Sequence, residues 1–124
     1  MRVLYVDDDR INTMLFAETC RMAKGMELET AATGAEALEI VGDWQPDVLV
    51  IDLHLPDTEG YALLPALRQR MDSANAPAFL CSADHPDQVR QPAQAAGFHG
   101  CWSKPVDLEA MLADLAQTGL WPRP

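Results

Sequence analysis

The sequence predicts an α/β fold, a doubly wound parallel sheet of five strands with five helices on its two faces. Two observations carry this. Short apolar runs alternate strictly with longer segments of helical spacing, and alternation of that kind calls for a parallel sheet covered on both sides. The most apolar runs, Val3-Leu4-Tyr5-Val6 and Val48-Leu49-Val50-Ile51, are continuous rather than alternating, as strands buried on both faces are.

The elements follow in order. After the first run, Ile11, Met14, Leu15, Glu18 and Met22 keep helical spacing up to a stop at Lys24-Gly25. Residues 28–32 read as a second, less apolar strand. Thr33-Gly34-Ala35-Glu36 has the form of a capping box, opening a helix that carries Ala37, Leu38 and Val41 inward and ends at Trp44-Gln45-Pro46. The third strand ends in Asp52. Beyond Pro56 and Gly60 a helix runs through Leu63, Leu64, Leu67 and Met71. Residues 78–81 form a fourth strand, 88–96 a weaker helix and 100–102 a short fifth strand. Leu108, Met111, Leu112 and Leu115 fit the i, i+3, i+4, i+7 stripe of a last helix, with Asp107 at its N-cap. Pro65 and Pro92 fall inside predicted helices, where each removes a backbone donor. The third helix therefore starts late or kinks, and the fourth, with Pro86 as well, is expected to be the least regular.

Composition excludes several functions. A chain of 124 residues is one domain, and 48% hydrophobic content is ordinary for a globular one. No apolar run approaches the roughly 18–20 residues that cross a bilayer. The N-terminus turns acidic at Asp7, too early for a secretory signal, so a cytoplasmic protein without membrane contact is expected. Three cysteines at no metal-ligand spacing read as buried thiols in a reducing compartment. A formal charge of −10, with nine scattered basic residues, argues against direct nucleic-acid binding.

Asp7, Asp8 and Asp52 all fall at C-terminal strand ends, the edge of an open parallel sheet where ligands bind. In the flavodoxin-like strand order 2-1-3-4-5 the first and third strands are neighbours, so the three carboxylates come together. Like charges that close demand a cation, and a hard oxygen-liganded ion, Mg²⁺, suits them. Asp9 reads instead as a loop residue or helix cap. Ser82 follows the fourth strand with a hydroxyl, and Lys104 follows the fifth, joined to Pro105. A metal, a hydroxyl and an ammonium converging on Asp52 suit the acceptor of a phosphoryl group.

Four motifs in order, Val6-Asp7-Asp8, the stretch from Asp52 through Pro56 to Gly60, Ser82-Ala83 and Lys104-Pro105, make the chain resemble the receiver domains of bacterial response regulators over residues 2–118. The family includes the chemotaxis regulators. The resemblance implies a receiver over 1–118, with 119–124 as a tail or linker stub. It implies that Asp52 is the phosphoacceptor and that Asp7, Asp8, Asp52 and the backbone carbonyl of His54 hold Mg²⁺. Ser82 would bond the phosphoryl oxygens and Lys104 would pair with the phosphate, while nearby cations keep Asp52 ionised. The donor would be a histidine kinase or histidine phosphotransfer protein. The output would be a partner protein or an attached domain, and residues 97–105 resemble receivers attached to hybrid histidine kinases.

One position departs from the pattern. Receivers usually carry Tyr or Phe three residues before the lysine, where Cys101 stands here, beside Trp102. Neighbours on a strand face opposite ways, so Trp102 does not substitute unless the register shifts. Two other functions share the architecture. Asp7-Asp8-Asp9 contains the Asp-x-Asp of Mg²⁺-dependent aspartyl phosphohydrolases, although that reading leaves Asp52 without a role. A phosphorylation-independent docking module is the other, against which every acceptor-site group is present.

Overall fold

The computed structural model describes residues 1–73, 75–104 and 107–119, apart from the side chain of Leu108. Pro105 and the tail 120–124 lie outside the described residues. Strands β1 (Arg2–Val6), β2 (Glu27–Ala31), β3 (Val48–Asp52), β4 (Ala78–Ser82) and β5 (Gly100–Ser103) alternate with helices α1 (Arg10–Met22), α2 (Gly34–Asp43), α3 (Gly60–Arg70), α4 (Pro86–Ala96) and α5 (Leu108–Gln117). The strands form one parallel sheet in the order β2-β1-β3-β4-β5, as the sequence predicts.

Side-chain alternation splits the core in two. Leu4, Val6, Leu49, Ile51 and Leu80 face α2, α3 and α4, where Val41, Leu64, Leu67 and Val89 meet them. Val3, Tyr5, Val48, Val50, Phe79, Cys81 and Trp102 face α1 and α5, against Phe16, Cys20, Met111 and Leu115. β3 and β4 are buried along their whole length, which is why they read as continuous apolar runs, whereas β2 is an edge strand and largely exposed. Each large aliphatic side chain fully withdrawn from water in these layers contributes roughly 1.5–3 kcal/mol.

Helix α1 differs from expectation. Ile11, Met14, Leu15 and Met22 are exposed, and the helix buries Phe16 and Cys20 instead. The two stripes lie one residue apart around the helix. Periodicity fixes the spacing of a stripe but not which of two overlapping stripes meets the sheet, and here the aromatic ring wins by stacking on Tyr5 at 4.3 Å.

Caps set the other helices. Thr33 Oγ1 accepts from the Glu36 amide at 3.1 Å, half of the expected capping box, while the Glu36 carboxylate reaches past Thr33 to the Ala32 amide at 2.9 Å. Asp107 caps α5 by accepting from the Glu109 and Ala110 amides. The prolines do not break their helices. α3 runs continuously from Gly60 with Pro65 exposed, so it does not start late. α4 begins with Pro86 in its first turn, where the missing N–H costs nothing, and continues through exposed Pro92 to Gly97 in the left-handed region (φ 101°).

Candidate functional site

Strand register brings the site together. Val6 pairs with Ile51, so the next residue of each strand, Asp7 and Asp52, leaves the sheet at one level. Ser82 pairs with Ser103, and the Lys104 amide donates to the Ser82 carbonyl at 2.9 Å, which brings Lys104 to the same edge. Asp7, Asp52 and Ser82 are the buried polar residues among those described.

Lys104 Nζ lies 3.1 Å from Asp7 Oδ2 and 3.2 Å from Asp52 Oδ1, so one ammonium bridges two buried carboxylates. Asp8 is exposed, yet one oxygen each of Asp7, Asp8 and Asp52 lies within 4.8 Å of the others. Three carboxylates and no softer ligand form a donor set that fits a hard divalent cation. Asp9 is not part of it. Its carboxylate turns back to accept from the Ile11 and Asn12 amides as the N-cap of α1. The Asp-x-Asp geometry of a phosphohydrolase is therefore not assembled.

Lys104 alone does not keep Asp52 in the ordinary carboxylate range. Burial and then the charge of Asp7 push its carboxyl up from 3.8 to about 6, and Lys104 only partly offsets them. Lys104 itself is raised: burial favours the neutral amine but is outweighed by the hydrogen bond it donates to Asp7 and the charges of both acids. One cation among three acids leaves a deficit of positive charge, which a divalent ion would fill.

Ser82 is at the predicted strand end, with its Oγ accepting from the Asp84 amide at 2.9 Å. His54 and Asp84 meet across the mouth of the site, Nε2 to Oδ2 at 3.0 Å, and that hydrogen bond raises the imidazole above its ordinary value. The loop carrying His54 is tied down by the Leu55 amide on the Thr58 carbonyl and by the Gly60 amide on the Leu53 carbonyl. Asp57 clamps the same loop to the start of α2, accepting from the Gly34 and Ala35 amides at 2.9 and 3.0 Å, which holds its carboxyl below the ordinary range.

The register of β5 is unshifted, Leu80 to Cys101 and Cys81 to Trp102. Cys101 therefore faces α4, half-buried rather than buried, and Trp102 faces α5. Trp102 stacks on Phe79 at 4.7 Å and donates from Nε1 to Asp114 Oδ2 at 2.7 Å, so it is committed to the other side. Where an aromatic side chain would stand, a cavity of about 340 Å³ opens between α4 and β5, lined by Ser82, Val89, Ala93, Phe98 and Cys101 among others.

Tyr5 stands outside the four motifs yet reaches the site. The Tyr5 hydroxyl donates to Asp7 Oδ2 at 2.9 Å from within the core. Its signal was nonetheless present, because residues i and i+2 of a strand share a face.

An open parallel sheet with acids on neighbouring strand ends and a lysine from the last strand defines a class of α/β modules built around one carboxylate. The model of the response regulator receiver domain family matches residues 3–116, and the chain belongs to that family, the receivers of two-component signal transduction. The sensor histidine kinase RcsC of Salmonella typhi is 31% identical over 116 residues, covering 94% of this chain and 12% of RcsC. The transcriptional regulatory protein KdpE of Mycobacterium tuberculosis is 33% identical over 117 residues, covering 93% of this chain and 50% of KdpE. The chain thus spans half or less of the length of these relatives. Among solved structures, the chemotaxis protein CheY4 of Vibrio cholerae superposes with a TM-score of 0.85 at 28% identity, covering 94% of this chain and 96% of CheY4. No described helix is long and apolar enough to cross a membrane.

Proposed function

We propose that Asp52 accepts a phosphoryl group from a histidine kinase or histidine phosphotransfer protein in the cytoplasm, with Mg²⁺ held by Asp7, Asp8, Asp52 and the His54 carbonyl. The added charge then switches contacts with an output protein or attached domain. The observation that carries this reading is the Lys104 bridge between Asp7 and Asp52, with the Asp8 carboxylate in reach.

The chemistry is mostly positioning. Mg²⁺ at the acid cluster would neutralise charge on the oxygens of the transferring group. Asp52 is held at the C-terminal end of β3, and its carboxylate is the nucleophile. With a value near 6 it is mainly ionised at neutral pH, and cation binding enlarges that fraction. Lys104 can exchange Asp7 and Asp52 for phosphoryl oxygens without leaving its place. Ser82, already fixed by the Asp84 amide, retains a hydroxyl proton to donate to the same oxygens. The product carries about −1.5 to −2 charges near neutral pH in place of one. Shifting a two-state balance from 1:99 to 99:1 takes about 5.5 kcal/mol, within the range of two or three charge-assisted bonds.

This is a self-catalysed acceptance rather than turnover of an external substrate, and Asp9's commitment to capping α1 weakens the phosphohydrolase alternative. Intact-mass measurement after incubation with acetyl phosphate and Mg²⁺ tests the reading. Wild type should gain one phosphoryl group and Asp52→Asn none; equal labelling of the variant would overturn the assignment.

A further inference from the structure

The hydrogen bond from Tyr5 to Asp7 sits beneath the proposed metal site and joins it to the packing between β1 and α1. Asp7 is 2% exposed, and its carboxylate is held on both oxygens. Oδ1 accepts from the Asp9 amide at 2.9 Å. Oδ2 accepts from Tyr5 at 2.9 Å, from Lys104 at 3.1 Å and, at the limit of a hydrogen bond, from Asn12 Nδ2 at 3.5 Å. Of these, Lys104 must be free to turn toward a phosphoryl group, and Asn12 is too distant to anchor anything. The donors that stay are the Asp9 amide and the Tyr5 hydroxyl, one on each oxygen. The Tyr5 ring is itself immobilised, 2% exposed and stacked on Phe16.

We infer that Tyr5 is a positioning residue for cation binding: its hydroxyl holds the Asp7 carboxylate aimed at Asp8 and Asp52, so that the acid cluster exists before the ion arrives. The inference rests on the reading of Asp7 as part of the Mg²⁺ site. A buried carboxylate that loses a fixed donor loses part of what stabilises its charge and orientation, and a cation that needs both must then pay for ordering it.

Calorimetric titration of the full chain with Mg²⁺ alone tests this without any phosphoryl transfer. Tyr5→Phe removes one oxygen and keeps the ring stack, and it should weaken Mg²⁺ binding about three- to tenfold. The Mg²⁺ concentration for half-maximal labelling by acetyl phosphate should rise by the same factor, with the rate at saturating Mg²⁺ within twofold of wild type. Phe16→Leu, which disturbs the stack but not the hydroxyl, should lower thermal stability and leave Mg²⁺ affinity unchanged. In an Asp7→Asn background, Tyr5→Phe should have no further effect on the ion. Wild-type affinity in Tyr5→Phe, or an equal loss in Phe16→Leu, would overturn the inference. If instead wild type binds Mg²⁺ but Asp52 never labels, the acceptor reading fails while the role of Tyr5 stands.

Discussion

Asp52→Asn should stabilise the folded protein at neutral pH when no divalent ion is present. The Asp52 carboxyl is 6% exposed, and in the folded state it holds its proton up to about 6 against 3.8 ordinarily. A carboxyl raised on folding means that the native state binds more protons than the unfolded one between those two values. Stability therefore falls as pH rises through that window, and the full cost is present above about 6. At roughly 1.4 kcal/mol per pKa unit this cost is on the order of 3 kcal/mol. The amide cannot ionise and so avoids it, but Lys104 loses one of its two acids. Because Asp7 remains 3.1 Å from Nζ, the ammonium is not stranded, and the net gain should be about 1–2 kcal/mol. For a domain of this size that is a rise in Tm of about 4–8 °C. Urea unfolding of both proteins in chelator at pH 7.5 and pH 4 measures it directly. The gap should be largest at pH 7.5 and nearly closed at pH 4, where the wild-type carboxyl approaches protonation in both states. Added Mg²⁺ should narrow the gap at pH 7.5 by stabilising the wild type. If the variant is no more stable than wild type at pH 7.5 in chelator, burial and Asp7 do not dominate the electrostatics of Asp52.

Further outcomes follow from the same geometry. Asp8→Asn should weaken Mg²⁺ binding at least tenfold by calorimetry, since Asp8 is the exposed acid of the three; unchanged affinity would remove it from the metal site. His54→Ala and Asp84→Ala should each change the decay rate of phosphorylated protein several-fold after donor removal. Since both break one 3.0 Å bond, the double variant should match the singles rather than add to them. The hydrogen bond raises the His54 imidazole, so the contribution of its charged form should persist somewhat above pH 6.5 and fade as pH rises further, read from decay rates across that range. Gly60→Ala should cost about 2–3 kcal/mol in urea unfolding, because a Cβ there would stand 2.9 Å from the Asp52 carbonyl and 2.9 Å from Leu80 Cδ1.

Much of the molecule is legible in the residues alone. Alternating strand and helix periods with acids at strand ends determine a parallel sheet and the edge that carries the site, because parallel strands put successive C-termini on one side. The last motif adds Lys104, which pairs with Asp52, and the period of two already separates Cys101 from Trp102. What the tertiary structure alone decides concerns choices that local pattern leaves degenerate. Two overlapping stripes on α1 obey the same spacing, and only the stack of Phe16 on Tyr5 turns Ile11, Met14 and Leu15 outward. Pro65 and Pro92 read as a late start, a kink or an irregular helix, yet both helices run through them with the rings on the exposed side. The protonation of Asp52 depends on how far burial and Asp7 outweigh one lysine, a sum over distances in three dimensions. The hold of Tyr5 on Asp7 is a 2.9 Å contact between two side chains withdrawn from water, a distance that spacing alone does not set. Spacing along a chain specifies which side chains can share a face; which of them meet, and at what charge, is set by packing.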